Sequence, residues 1–511
     1  MATADMSLFE RKNFINKKAH EKKPVYYRII LFLLVLVLMS GSFNAQIKQG
    51  EKILARVGNK EITSKEFRQR SELTIRPDNF KDKYITLNNL ISEKILAIEY
   101  EKKNNPELNV AFQSKLKGIK EQMMRDKLFN SEAFDKVVFD SSEIKNVYRN
   151  SLREYELEFY TISNDTIIKK IEETIKSAPE LTNDLFNELQ KIVGNKPLHK
   201  TKYLDPDDQI LTETLYTTLR DTGEVVGPLR ISNGDYILMR VNNWTDFPLI
   251  SSEDRRERWN KVEEKMHQIE ARKVWQQYIT NLMRGKKLEF DFESFRTLSD
   301  VAFDYYSKNN QSDSLYNQLT DNPQFAPDID VNAPFFTIDN KTWTVEEFKK
   351  ELLVRPLVFR TKDLNKKNFD ENFKFAIADM IRDYYVTGEA YKNSLDKSGD
   401  VVQTVNMWKD SFLSAQEERD VIDAALNSGL ITENNNDAKL KFWENHLVTL
   451  QNKYTDSISV NIEEFNKIKL TEIDMMAIRP GVPYPVAVPK FPMLMSSNKL
   501  DYIKQWGNIK K

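Results

Sequence analysis

The chain contains no cysteine. That absence excludes disulfides, thiolate zinc sites, cysteine nucleophiles and lipid anchoring through a thiol. Histidine is scarce too: His20, His199, His267 and His446 stand far apart, none at metal-ligand spacing, so no metal site is expected. Glycine numbers only 14, and no Gly-rich phosphate-binding loop occurs, so no nucleotide or other cofactor is expected. There is no Gly-x-Ser-x-Gly and no Ser beside a usable His, which leaves no nucleophile-base pair. The chain also lacks a charge excess: 76 basic residues face 77 acidic ones. Nucleic acid is therefore not expected as the partner, since phosphate binding needs a basic face. What remains is 511 residues, 40% of them hydrophobic, with only 17 prolines. That length calls for about two to four domains, and the composition for a mostly helical protein.

One long apolar run exists. Residues 1–28 carry Arg11, Lys12, Lys17, Lys18, Lys22, Lys23 and Arg28 against Asp5, Glu10 and Glu21. Residues 29–39 follow, IILFLLVLVLM, opening at Ile29 and closing at Met39, and then a small, polar exit, SGSFNAQ. This order describes an export signal, and the run is short of the roughly 20 residues that span a bilayer. Two outcomes stay open: cleavage after Ala45, or an uncleaved anchor in the inner membrane, which the bulky Phe43 at the −3 position would favour. Both orient the basic end inside and export the remainder, giving an extracytoplasmic protein.

Residues 57–77 read VGNKEITSKEFRQRSELTIRP. Two short strands turn at Gly58-Asn59, and Thr63 starts a helix. Thr63 and Glu66 have capping-box spacing, and Ile62 with Phe67 has staple spacing. The device returns at residues 338–356, IDNKTWTVEEFKKELLVRP, with Thr344 and Glu347 as the box and Trp343 and Phe348 as the staple. Arg355-Pro356 also echoes Arg76-Pro77. The recurrence predicts a duplicated module.

Residues 85–103 carry Leu87, Leu90, Ile91, Ile95 and Ile98 at helical steps, and further helices are expected over 111–130 and from a cap at Ser141. Residues 155–248 then read β-α-α-β-α-β-β, an α+β domain with a small antiparallel sheet and a hairpin turn at Asn233-Gly234. A long helix with Trp259, Met266 and Trp275 on its apolar stripe leads to the strand KLEFDF. Residues 296–333 read as a helical turn or two and a linker. The second module holds a helix over 369–393 and another over 440–453, followed by the strand SISVNI. The tail strings together Pro480, Pro483, Pro485, Pro489 and Pro492, which forbids helix and central strand. It is expected either to lie along the surface or to run free. The offset between the copies falls from 281 (Thr63 to Thr344) to 170 (Asp291 to Asn461), a drop of 111 residues. One helical module present twice, with the α+β domain inserted in the first, accounts for that fall.

The leader, ILARVGNKEITSKEFRQR and LNNLISEKILAIEYEKK together resemble periplasmic foldases of the SurA, PpiD and PrsA kind. In the insert, YELEFYTIS and TGEVVGPLRISNGDYILMRV resemble the first and last strands of a parvulin-type prolyl isomerase. The resemblance implies a periplasmic location and a mainly α protein of two SurA-like helical chaperone modules, the first with a parvulin-like α+β insert. Its divisions are 1–45 leader, 51–150 chaperone helices, 151–250 parvulin-like domain, 251–295 closing helix and strand of the first module, 296–333 linker, 334–470 second module and 471–511 tail. It implies Phe159, Tyr203, Tyr216 and Tyr236 as lining of a degenerate isomerase cleft. Active parvulins carry a His on each of those two strands. Here the first offers Glu158, Phe159 and Tyr160, the last has Tyr236, and His199 lies on neither. Twisting an X–Pro bond needs a shaped apolar cleft more than proton transfer, so the losses weaken the isomerase reading without removing it. The expected function is an exported chaperone that binds unfolded or outer-membrane proteins. The alternatives are an active parvulin-type isomerase and a scaffold subunit of an envelope assembly machine that docks through its tail.

Overall fold

The computed structural model describes residues 52–73, 82–106, 109–205, 208–231, 234–308, 329–361, 363–432, 435–470, 478–479, 481–491 and 495–506. The leader with residues 29–39, the Arg76-Pro77 echo and Asn233 lie outside them. Among the described residues no helix is long and apolar enough to cross a membrane.

Strands β1 (Ile53–Val57) and β2 (Lys60–Thr63) form the first hairpin. Gly58 turns it at φ +58°, a backbone that suits glycine. Thr63 caps α1 (Ser64–Glu72) by accepting from the Glu66 N–H at 3.0 Å. The predicted return bond from Glu66 is replaced: its carboxylate takes Lys94 at 2.7 Å instead. Helices α2 (Lys83–Lys103), α3 (Val110–Glu132) and α4 (Ser141–Asn150) follow, the last capped by Asp140 rather than Ser141.

The insert has the expected order. It runs β3 (Arg153–Ile162), α5 (Asp165–Ser177), α6 (Thr182–Val193), β4 (His199–Lys202), α7 (Gln209–Tyr216), β5 (Val225–Arg230) and β6 (Tyr236–Asp246). Its antiparallel sheet has the order β4-β3-β6-β5. One face buries Tyr155, Leu157, Met239 and Val241 with Tyr203 and Tyr216. The other buries Tyr160, Ile162 and Leu238 against Ile168 and Phe186. The chain is thus mainly α with an inserted α+β domain.

Helix α8 (Ser252–Leu282), β7 (Glu289–Phe290) and α9 (Phe292–Lys308) come next. Helix α9 is longer than the helical turn or two expected at the start of 296–333; residues 309–328, where the linker is expected, lie outside the described residues. The helix's Phe295, Leu298, Ala302 and Tyr305 repeat at helical steps and are buried, and Ser299 is buried with them, its hydroxyl donating to Asp370 at 2.5 Å. The second hairpin, β8 (Pro334–Ile338) and β9 (Lys341–Thr344), leads into α10 (Val345–Val354), whose capping box is complete. Then come α11 (Phe369–Lys392), α12 (Gly399–Asn427), α13 (Asn436–Lys453), β10 (Ile458–Val460) and α14 (Ile462–Lys467).

The closing strands are exchanged. The strand at 289–290 was expected to close the first hairpin, and the strand at 458–460 the second. Instead β10 pairs with β1, Ala55 opposite Val460, and β7 pairs with β8, Phe290 opposite Phe336. Each junction is nevertheless built alike. The Asn461 N–H donates to Leu54 O at 2.8 Å and the Asp291 N–H to Phe335 O at 2.9 Å. Their side chains cap α14 and α9 through Glu464 N and Ser294 N. The second unit is therefore contiguous, with one core running from Phe295 to Ile381. The first is assembled from the two ends of the chain, where Leu54, Ile62, Phe67 and Leu90 share a core with Trp443, Phe465, Met495 and Ile503.

Two helices tie the halves together. Helix α12 lies along α2, where Asp410 accepts from Lys60 at 2.7 Å and Lys94 at 3.0 Å. Helix α3 lies along α11, where Arg125 donates to Thr387 at 3.0 Å and Met124 and Leu128 meet Val386 and Ala390.

Candidate functional site

The four residues expected to line an isomerase cleft are not gathered into one. Tyr216 is 1% exposed and Tyr203 2%. Their rings stand 5.3 Å apart, edge to face, and the Tyr216 hydroxyl donates to the backbone oxygen of Thr201 at 3.0 Å, with that of Arg153 at 3.2 Å. Burial pushes the Tyr203 hydroxyl above its ordinary range. Both are core residues. Phe159 lies on the same sheet face, its ring edge-on to His199 at 5.9 Å. Tyr236 lies on the opposite face, in register with Ile162.

Glu158 lies deep in the sheet, 4% exposed. It accepts from the Tyr160 hydroxyl at 3.0 Å, Gln190 Nε2 at 3.2 Å and the Lys196 N–H at 3.2 Å. Burial and this carboxylate push the Tyr160 hydroxyl up to about 12. The knot fixes the 194–196 turn to β3. Among the described residues no cluster of His, Asp and Glu could hold a metal ion. The apolar stripe of α8 is likewise packed: Trp259 meets Tyr148 at 5.6 Å and Trp275 meets Phe129 at 5.5 Å.

The more informative geometry lies where the tail crosses the helical units. Residues 481–491 and 495–506 lie on the body, as the surface-packing alternative for the tail has it. Two side-chain amides each hold one tail residue by both its backbone N–H and its carbonyl. Gln122 Nε2 donates to Tyr484 O at 2.8 Å, and the Tyr484 N–H donates to Gln122 Oε1 at 2.9 Å. Asn89 does the same at Met495, at 3.0 and 2.9 Å. A β-strand partner offers the same donor-acceptor pair, here supplied without a strand.

The Tyr484 ring lies over Gly118 of α3, and its hydroxyl donates to Val354 O at 2.9 Å. A Cβ on Gly118 would overlap both that hydroxyl and the Val354 carbonyl, so only glycine admits the contact. Arg479 pairs with Asp126. Further on, Phe491 lies 4.1 Å from the guanidinium of Arg70. Arg70 is itself buried and joined to Glu93 by bonds of 2.9 and 2.7 Å. A cavity of about 120 Å³ lies between the 355–360 loop, α11 and the tail, lined by Arg355, Phe359, Asp379, Asp383, Gly481 and Pro483. That is well below the roughly 300 Å³ from which small-molecule pockets start. Tyr384, Tyr391 and Val486 stand between 37% and 40% exposed near this crossing. Sequence reading missed Gln122, Asn89 and Gly118, because an amide on a helix face carries no periodic signal.

No known protein family's profile matches this chain, and no curated protein matches it. Among solved structures, the foldase protein PrsA from Streptococcus pneumoniae str. Canada MDR_19A is a distant neighbour. It is 12% identical, over 42% of this chain and 87% of that one, with a TM-score of 0.17. A likeness that slight assigns neither the fold nor the function of this chain.

Proposed function

We propose that this protein is an exported chaperone of the SurA-like kind that holds unfolded envelope or outer-membrane proteins on its two helical units. The reading rests on one observation: at Tyr484 and Met495 the body holds irregular chain through the backbone, by paired bonds to Gln122 and Asn89. Backbone recognition is indifferent to sequence, which a holder of varied clients requires. The exposed Tyr384, Tyr391 and Val486 add apolar surface of an adaptable kind. Such a chaperone works without nucleotide, by many weak contacts. The apolar run at 29–39 would direct the chain to the periplasm, or hold it at the inner membrane.

The test is aggregation of an unfolded outer-membrane protein diluted from urea, followed by light scattering. The chain from residue 46 onward suppresses scattering at a several-fold excess without ATP. Unchanged scattering at that excess rejects the reading. Isomerase activity is the weaker reading, because Tyr203 and Tyr216 are closed into the core and Tyr236 faces away from Phe159.

A further inference from the structure

We infer that the surface formed by Gly118, Gln122 and the Val354 carbonyl is a binding site for a proline-flanked aromatic segment, filled in the resting protein by the chain's own residues 481–487. It rests on the chaperone reading for the identity of the competing ligand, an unfolded chain, and names the segment such a chain presents.

The tail divides at Val488. Val488 is 2% exposed and Met495 1%, and the latter belongs to the core that holds Leu54 and Phe67. From 481 to 487 every residue is half-buried or exposed. A structural part of the core has no reason to be lodged so shallowly, while a replaceable occupant does. The chemistry of the occupant fits a capture site. Pro483 and Pro485 flank Tyr484 and have no N–H. Tyr484 therefore brings one backbone donor, and Gln122 satisfies it while donating to the same residue's carbonyl. Little polar backbone has to be desolvated, and the prolines stiffen the segment before it docks, which lowers its ordering cost. The ring then enters a slot that a missing side chain at Gly118 leaves open, with its hydroxyl on Val354 O. The Ile478–Val486 bridge and the Arg479 N–H on Pro485 O close the segment into a turn. Because the occupant is tethered, it competes at an effective concentration of about millimolar, so a client must displace it.

The probe is a fluorescein-labelled peptide of residues 479–487, titrated against the full-length chain by anisotropy. In Tyr484→Ala the tethered competitor is weakened, and the peptide binds at least about tenfold more tightly than to the wild type. Adding Gln122→Ala to that variant removes the gain. Equal binding to the wild type and Tyr484→Ala, or a gain insensitive to Gln122→Ala, overturns the inference. Gly118→Ala gives a second reading through hydrogen exchange. Residues 481–487 lose protection while 495–506 and 53–72 keep wild-type rates; loosening of all three together shows that the segment is core and refutes it. Peptide exchange without suppression of client aggregation leaves this site standing and rejects the chaperone reading. Suppression without peptide exchange does the reverse.

Discussion

Phe465→Ala tests the interlaced assembly of the first unit. Phe465 is fully buried, on α14, close to 400 residues along the chain from the hairpin it packs under. Its ring meets Phe67 at 5.8 Å, Tyr84 at 5.2 Å and Trp506 at 5.6 Å, all near edge-to-face. Truncating a buried Phe to Ala costs about 3–5 kcal/mol, and each lost aromatic pair accounts for about 0.5–1.5 kcal/mol of the interaction. A loss near 4 kcal/mol raises local opening by about three powers of ten. Hydrogen exchange with mass spectrometry reads this peptide by peptide. Amides of Ile53–Val57 and Lys60–Thr63 should exchange faster by up to that factor, while Pro334–Ile338 in the second unit keeps its protection. If residues 53–63 keep wild-type rates and only 436–467 loosens, β10 and α14 do not close the first hairpin and the assembly is wrong.

Three further outcomes follow from buried charge and aromatic placement. Arg70→Met leaves Glu93 charged and buried without its partner, and should cost about 3–5 kcal/mol in urea denaturation. Arg70→Met with Glu93→Met should recover most of that loss. Burial pushes the Glu264 carboxyl up from 4.5 to about 7. The folded chain then keeps a proton that the unfolded chain releases above about 4.5, so this stabilisation is full below that pH and is lost as pH rises through 7. Thermal melts across pH 4.5 to 7 should therefore fall less steeply in Glu264→Gln than in the wild type. In a proline-limited refolding assay the full chain should match the uncatalysed rate; acceleration that disappears in Tyr236→Ala would restore the isomerase reading.

Elements marked by local chemistry were legible in the sequence. Thr63, Thr344 and their staples announced both hairpin-to-helix starts, Leu87 to Ile98 announced α2, and alternation announced β3 and β6 of the insert. Helix α12 was missed because its buried side is mixed: Thr404, Asp410, Ser411, Ser414 and Glu417 interrupt the apolar Val401, Met407, Leu413 and Ala425. The return bond of the first capping box failed because Lys94, distant in sequence, takes Glu66. Burial disfavours the charge on Lys94, but Glu66 and Asp410 more than offset it and hold the ammonium above its ordinary range. The exchange of closing strands was hidden because KLEFDF and SISVNI present equivalent capping residues, Asp291 and Asn461, and only the register decides which hairpin each joins. The tail's prolines excluded helix correctly, but the amides of Asn89 and Gln122 that hold it have no pattern to detect.

The central claim is that clients are held on the helical units near the crossing of the tail, and not in the α+β insert. The direct measurement is photocrosslinking of an unfolded outer-membrane protein to full-length chain carrying p-benzoylphenylalanine at Tyr391, Tyr384 or Tyr236, one position at a time. The account predicts crosslinks from positions 391 and 384 and none above background from 236. Crosslinks from 236 alone would contradict it.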